Sequence, residues 1–357
     1  MNNNKNFQLW DYLKVIAALS VLVIHIGPFT PISYTLNNGI TMWARFAIPF
    51  FLITAGFFVE KGIQKRNGSL AYVTKYMKRL FFYYVAWWIV YIPLISYGWQ
   101  GPFIFENYHG ILLVAKIFTA YFLGFFTGST FIGSWYISAT IIGVFIVFRL
   151  LRKVSNSLLI FIGIITGIIV LVVDNLGGLF ISHDIWEWYH AGSFLKFGGS
   201  ALTQTFLVTI PLLIIGKFMY LNLTILQDLK IRTVYVLIGI FAVLTIIENY
   251  GLNHLGGRNI PDESVFSIML AVSLVLLALN KKVKNIISEP KWLRPYSSFL
   301  YPAQFGLIVL YKTVLDAAVG QEINAMLLYG IVLLTETILF FTLRWASNKV
   351  GWIKYFW

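Results

Sequence analysis

The sequence predicts an all-α integral membrane protein with about ten transmembrane helices and one further helix on the outer side, re-entrant or interfacial. Composition is the first reason: of the 357 residues, 59% are hydrophobic and only 11% are charged, whereas soluble domains carry about 25% charged residues. The second is that apolar segments of about 20 residues, enough to cross a bilayer, recur along the chain. The third is that no Pro-, Ser- or charge-rich linker separates them, so residues 1–357 are predicted to form a single membrane domain.

Eleven apolar segments follow one another in the chain. They cover residues 12–33, 40–60, 79–98, 109–127, 133–151, 157–174, 201–220, 232–250, 262–280, 297–316 and 323–346. Lys and Arg concentrate in cytoplasmic loops, so their distribution indicates how many segments cross. If 109–127 does not cross, 22 of the 27 Lys and Arg residues lie on the inner side, and both termini are cytoplasmic. If it crosses, the basic cluster at 281–294 faces outward, so we predict that 109–127 is the re-entrant or interfacial helix.

The first span carries three ionisable residues near one face. Asp11 and Lys14 are spaced i, i+3 and are expected to pair at the inner interface. His25 follows ten mostly apolar residues and shares a helix face with Lys14, about 16 Å further along the axis. Ionisable groups inside a bilayer are costly, which makes this stripe a candidate functional site. Interfacial anchoring of Asp11 and Lys14, and a structural role for His25, are the alternatives.

The second span adds Arg45 near its outer end, at a depth comparable with that of His25. Pro49 frees a backbone carbonyl and is expected to bend the helix, and Gly56 permits close approach of a neighbouring helix. A bent helix with an inward-facing arginine is suited to line a polar cavity. Snorkelling of Arg45 to the outer headgroups, and a kink that serves packing alone, are the alternatives.

Further candidate residues lie at the ends of later spans. Lys78 and Arg79 open the third span on the inner side, where cations either fix topology or bind a phosphate-bearing donor. Trp135 and Tyr136 begin a span on the outer side, either as substrate-binding aromatics or as part of the interfacial aromatic belt. Glu248 is either a hydroxyl-binding or acid–base group or an ordinary interface residue.

Tyr301 and Glu336 are the remaining polar residues within spans, and Glu336 is close enough to mid-membrane to require a polar partner.

The sequence has no cysteine, no Walker A motif, no GxSxG elbow and no HxxxH pair. It therefore predicts no disulfide, no cysteine nucleophile and no metal site. The net charge of +13 is spread among apolar blocks, which indicates cytoplasmic loops rather than a nucleic-acid-binding surface.

Five sequence blocks resemble the acyltransferase-3 family of integral membrane acyltransferases. D-x-x-K-x10-H and R-x-x-x-P-F-F-x-x-x-x-G, at Asp11–His25 and Arg45–Gly56, resemble the beginning of that family's sequences. KYMKRLFFYY, SWYIS and SSFLYPAQFGLIVL resemble the basic start of its third helix, its outer aromatic pair and its ninth-helix motif. The resemblance runs from residue 11 to about 310, and the family's ten-helix arrangement agrees with the charge distribution.

The resemblance implies transfer of an acyl group, usually acetyl, from cytoplasmic acyl-CoA to a hydroxyl of a cell-envelope sugar, polysaccharide or lipid-linked precursor. It makes His25 the essential histidine, which we expect to act as general base, with Arg45 stabilising the developing oxyanion. Lys14, which stands where most members have arginine, is expected to hold the donor's phosphates together with Lys78 and Arg79.

For substrate binding we predict contributions from Asp11, Trp135, Tyr136, Glu248 and Tyr301, and we expect no permanently bound cofactor. The expected location is the cell membrane, with lipid around the chain; the sequence does not decide between a monomer and a homodimer.

The alternative function is a transporter or flippase of a polar metabolite, such as an amino acid or a glycan, that uses the same polar stripe. Arg-x-x-x-Pro-Phe-Phe also resembles the membrane part of vancomycin-resistance serine racemases, which is thought to serve amino-acid supply.

Overall fold

The computed structural model describes residues 8–92, 107–127, 134–172, 207–254, 264–283, 290–320 and 322–357, and all regular secondary structure in these ranges is helical. The helices are α1 (Gln8–Ile26), α2 (Tyr34–Ala44), α3 (Ala47–Gln64), α4 (Ala71–Val90), α5 (Gly110–Thr127), α6 (Ser134–Phe145), α7 (Asn156–Val170), α8 (Thr209–Leu221), α9 (Leu223–Leu226), α10 (Ile231–His254), α11 (Val265–Leu279), α12 (Leu293–Val319) and α13 (Ala325–Ala346). Helix α6 continues through a π-helical turn (Ile146–Leu150) and a 3₁₀ turn (Leu151–Lys153), and a 3₁₀ segment (Gly351–Phe356) follows α13.

Six helical stretches are long and apolar enough to cross a bilayer, judged by length and composition. They are Leu9–Ile26, Tyr34–Gln64, Ser134–Lys153, Ile231–Leu252, Leu293–Ala318 and Ala325–Ala346. Four shorter apolar helices accompany them in the described ranges: Gly110–Thr119, Asn156–Val170, Thr209–Leu221 and Val265–Leu279. The predicted all-helical fold is therefore confirmed, whereas the count of ten spans and the re-entrant placement of 109–127 stay predictions. The predicted spans 79–98, 133–151, 157–174, 201–220 and 262–280 each extend beyond the described residues.

The second predicted span consists of two helices, because the backbone changes course at Arg45 and Phe46. Their N–H groups donate to the Met42 and Trp43 carbonyls, each over 3.4 Å, in place of the usual bond to the residue four positions back. Pro49 follows in the first turn of α3, where a missing N–H is tolerated. The bend predicted from Pro49 is thus a helix break just before the proline, at Arg45 and Phe46. Arg45 is the residue predicted to face a polar cavity.

Helices α3 and α8 are packed with their backbones in contact. A Cβ atom on Gly56 would collide with the Leu213 carbonyl oxygen, and one on Gly216 would collide with the Ile53 carbonyl oxygen. The two glycines are therefore reciprocal, each making room for the other helix's main chain. The close approach predicted at Gly56 is therefore the approach of α8. It supports α3 from behind, and other residues of α3 form a wall of the cavity described next.

Tyr83 of α4 and Tyr91, which directly follows α4, bind the backbone of α12 around Pro302. Pro302 has no N–H to give to the Ser298 carbonyl, and the Tyr83 hydroxyl donates to that oxygen over 2.6 Å. The Tyr91 hydroxyl accepts from the Gly306 N–H over 2.6 Å and donates to the Pro302 carbonyl. These bonds hold α4 and α12 in a defined register.

Candidate active site

A cavity of about 300 Å³, the first cavity, lies among helices α1, α3, α4, α6 and α12. Its polar lining includes Lys14, Arg79, Arg294, Ser297, Ser298 and Tyr301. Its apolar lining includes Phe51, Ala55, Phe58 and Leu80. Along α12 the cavity runs from Arg294 to Tyr301, which are seven residues or about 10 Å apart in a helix. It therefore has a basic end and an aromatic end.

The basic end is organised by one buried carboxylate. Asp11 is only 1% exposed, and its Oδ1 accepts from the Lys14 ammonium over 3.1 Å. Its Oδ2 accepts from Nε of Arg294 over 3.2 Å. With Arg79 also lining the cavity, three cations face one acid, so the local charge is positive. The i, i+3 pairing predicted for Asp11 and Lys14 is present, and Arg294 joins it from α12.

Packing of α1 against α3 fixes where the Lys14 side chain lies. The indole N–H of Trp10 donates to the Thr54 hydroxyl over 2.9 Å, and the Trp10 ring contacts Phe57 and Phe58. Four residues after Trp10, the Lys14 ammonium lies 5.0 Å from the centre of the Phe58 ring. The Lys14 side chain is 16% exposed and lines the cavity.

The aromatic end is closed by three rings from three helices. Tyr301 of α12 contacts Tyr136 of α6, with ring centres 5.1 Å apart, and Phe51 of α3, with ring centres 6.1 Å apart. Phe51 and Tyr136 also contact each other, at 5.9 Å. The structure thus brings the predicted residues Tyr136 and Tyr301 together with Lys14 and Arg79 around one cavity.

His25 lies beyond this aromatic end, outside the residues that line the cavity. Its ring meets Phe305 edge-on with centres 4.9 Å apart, and Phe305 contacts Tyr301 at 5.8 Å. The stripe predicted from Lys14 to His25 is therefore divided by the Tyr301 and Phe305 side chains. Arg45 lies at the α2–α3 break, half-buried.

The other predicted site residues lie outside the cavity. Lys78 is exposed, with its ammonium 5.8 Å from the centre of the Phe82 ring, and Trp135 packs against the hydrophobic core. The Glu248 carboxylate accepts from the N–H of Val265 over 2.9 Å and from the next N–H over 2.8 Å, at the beginning of α11. A carboxylate there stabilises the helix terminus. Substrate roles for these residues stay predictions.

Residues that the sequence had not singled out complete the site. In the sequence Arg294 belongs to the basic cluster at 281–294, which indicates topology alone, and its pairing with Asp11 depends on how α1 packs against α12. Tyr83 stands in an aromatic run that resembles an interfacial belt. Pro302 inside a span was the available signal, since it predicts an unsatisfied carbonyl at Ser298 that needs a donor. Within the described ranges, no three or more His, Asp or Glu residues are grouped so that they could hold a metal ion.

Comparison with known proteins gives one family and two relatives. The sequence model of the acyltransferase-3 family, described as an acyltransferase domain, matches residues 8–345. An amino-acid racemase of Enterococcus faecalis is 30% identical over 182 residues, which cover 50% of this chain and 23% of the racemase. A second amino-acid racemase of that organism is 25% identical over 301 residues, which cover 82% of this chain and 40% of the racemase. The chain spans less than half the length of either relative, and no solved structure matches it.

Proposed function

We propose that this chain, which belongs to the acyltransferase-3 family, transfers an acyl group, acetyl in the simplest case, from acyl-CoA to a hydroxyl of a cell-envelope glycan or a lipid-linked precursor. The observation that carries the proposal is the convergence of Lys14, Arg79 and Arg294 on one cavity with an apolar lining further in. Such a cavity suits a ligand that is anionic at one end and an uncharged thioester at the other.

The donor enters at the basic end. Arginine and lysine form charge-assisted hydrogen bonds with phosphate, and Asp11 keeps Lys14 and Arg294 oriented before the donor arrives. The acyl end of the donor then lies along Phe51, Ala55 and Phe58. In this proposal the cytoplasmic donor binds at the end of α1 that carries Lys14, and the acceptor binds at the end that carries His25.

The chemical step uses His25 as base. The neutral imidazole takes the proton of the acceptor hydroxyl while the hydroxyl oxygen attacks the thioester carbonyl carbon. The resulting oxyanion is stabilised by the Arg45 guanidinium. The carbon–sulfur bond then breaks, the coenzyme leaves as a thiolate, and the thiolate takes the proton from the imidazolium. Because Tyr301 and Phe305 separate His25 from the cavity, these two side chains must rotate when both substrates are bound.

We expect the protein in the cell membrane, crossing it several times with both termini on the cytoplasmic side. This orientation puts the Lys14 end of the cavity next to the cytoplasmic pool of donor. In the same orientation, the His25 end is accessible to acceptors on the outer side of the membrane.

Turnover of the donor tests the proposal. Purified protein in lipid nanodiscs is given acetyl-CoA, with water and free envelope monosaccharides as acceptors, and release of the coenzyme thiol is followed. We expect release by the wild type and almost none by His25→Gln. A wild-type rate no higher than that of the variant would contradict acyl transfer.

A second function is favoured by the two relatives, because both are amino-acid racemases and this chain matches less than half of each. In this alternative the chain moves an amino acid across the membrane along the same cavity. Uptake of labelled L-serine into proteoliposomes, with no thiol release from acetyl-CoA, would support transport over acyl transfer.

A further inference from the structure

A second cavity, of about 720 Å³, adjoins the first and shares Arg79 and Trp357 with it. Three cations from three different elements line it: Arg79 from α4, Arg344 from α13 and Lys354 from the 3₁₀ segment. No acidic residue is among the described residues that line it. The side chains that line it therefore include three cations and no carboxylate, whereas at the first cavity Asp11 pairs with two cations.

The segment that carries Lys354 is fixed against the helix bundle. The indole N–H of Trp87 donates to the Phe356 carbonyl over 3.4 Å, and the Arg79 guanidinium donates to the Trp357 carbonyl over 3.3 Å. The Trp357 ring contacts Phe340 of α13, with centres 5.7 Å apart. These contacts make Trp357 a partition between the two cavities, with Arg79 beside it.

Aromatic surface lies next to the cations. Trp345 lines the second cavity and is 65% exposed, and Phe341 lines it as well. A flat heteroaromatic base stacks on such rings, while phosphates bind arginine and lysine. The second cavity thus combines the two kinds of contact that a nucleotide requires.

We propose that the second cavity binds the nucleotide end of the thioester donor, with Arg344 and Lys354 on its phosphates, while the thioester arm passes Trp357 into the first cavity. This inference rests on the proposed function, in which the donor is acyl-CoA. At about 300 Å³ the first cavity is at the lower limit of the volumes that small-molecule sites occupy, about 300–1,000 Å³. A donor with a bulky nucleotide therefore needs the second.

Direct binding tests the site without any requirement for catalysis. Adenosine 3′,5′-bisphosphate, a nucleotide probe without a thioester, is titrated calorimetrically into the full chain in nanodiscs of uncharged lipid. Arg344→Gln and Lys354→Gln should each weaken binding about five- to tenfold, and less at high salt, because each removes one accessible ionic contact. Lys230→Gln is the matched control: it removes an exposed cation that lies just before α10 and lines neither cavity.

Kinetics with two donors extends the test. S-acetyl-N-acetylcysteamine has the thioester of acetyl-CoA but no nucleotide. We expect both variants to raise the KM for acetyl-CoA about five- to tenfold and to leave the KM for the short thioester unchanged. Arg344→Lys keeps the charge and should restore most of the affinity, which separates loss of the contact from misfolding.

The outcomes are distinct. If the bisphosphate does not bind, or binds the variants and the wild type equally, the nucleotide site is wrong even where acetyl-CoA is turned over. An effect that depends on anionic lipid and is equal for both donors would identify a lipid headgroup instead, and would overturn the proposal. Binding of the bisphosphate without any thioester turnover would support the site and contradict only the proposed acyl transfer.

Discussion

The Tyr83 hydroxyl donates a 2.6 Å hydrogen bond to the Ser298 carbonyl oxygen across 215 residues of sequence. In an unbroken helix this carbonyl would accept from the backbone of residue 302, which is a proline without an N–H. Tyr83 and Ser298 both line the first cavity. This hydrogen bond therefore supplies the donor that Pro302 cannot give to the Ser298 carbonyl. It also fixes α4 and α12 relative to each other in the wall of the cavity.

Tyr83→Phe should lower the free energy of unfolding by about 1–2 kcal/mol, because the Ser298 carbonyl is left without a donor. In a Pro302→Ala background the same substitution should cost less, since residue 302 then supplies its own N–H to that carbonyl. Thermal unfolding of the wild type, the two single variants and the double variant in one detergent measures this double-mutant cycle. Equal losses in both backgrounds would show that the hydroxyl does not compensate for the proline.

Asp11→Asn should affect both stability and donor binding. The substitution keeps the shape of the side chain but removes the charge that pairs with Lys14 and Arg294. Breaking a buried ion pair costs about 3–5 kcal/mol, and we expect about 2–4 kcal/mol here because Arg294 is 56% exposed. The KM for acetyl-CoA should rise as well, because the two cations lose their orientation.

The double variant Asp11→Asn/Lys14→Met is the informative comparison. It removes the uncompensated ammonium and should recover part of the stability while leaving the KM high. If the double variant recovered the wild-type KM for acetyl-CoA as well as stability, Lys14 would have no role in donor binding.

His25→Gln should insert and fold but lose transfer by about 10²–10⁴-fold, because an amide cannot take up a proton near neutral pH. Binding of acetyl-CoA should persist, because the contacts proposed for its phosphates lie at the other end of α1. Rate and affinity are measured on the same preparation. Substantial transfer by a well-folded variant would reduce His25 to a structural hydrogen-bonding residue and favour the transport alternative.

Gly56→Ala should lower the free energy of unfolding by about 1–3 kcal/mol, because the added methyl group collides with the backbone of α8 at Leu213. Gly239→Ala is the control, since a methyl group at that position of α10 meets nothing within 4 Å. Denaturation in a graded detergent mixture compares the free energies of unfolding of Gly56→Ala and Gly239→Ala. A loss at Gly239 as large as that at Gly56 would attribute the effect to the helical glycines themselves rather than to the close approach.

Local patterns were sufficient to predict the helical fold and one ion pair of the basic end. Apolar length predicted the helical fold, and i, i+3 spacing predicted the Asp11–Lys14 pair, because both depend on residues close in sequence. The first helix is shorter than its predicted span of 12–33, since it ends at Ile26, before Gly27 and Pro28. The second span was divided because the effect of Pro49 falls on the residues before it.

The remaining features depend on contacts between distant helices, which one sequence does not display. Arg294 reaches Asp11 from 283 residues away, and no local pattern distinguishes it from a cytoplasmic loop cation. The separation of His25 from the cavity arises because Phe305 and Tyr301, both on α12, lie against the His25 end of α1. Helical periodicity placed His25 on the same face of α1 as Lys14 but carried no information about the neighbouring helix.

The shared carboxylate of Asp11 has a consequence for biosynthesis. Helix α1 is made first, yet the second cation for its buried acid arrives only with α12, 283 residues later. At the usual translation rate of about 5–20 residues per second, this interval is roughly 15–60 s. During that time Lys14, made with α1, already balances the charge of the carboxylate, and the contact of its Oδ2 with Arg294 has still to form. The contact between Asp11 and Arg294 therefore reports that α12 has been made and has packed against α1, before any substrate is bound.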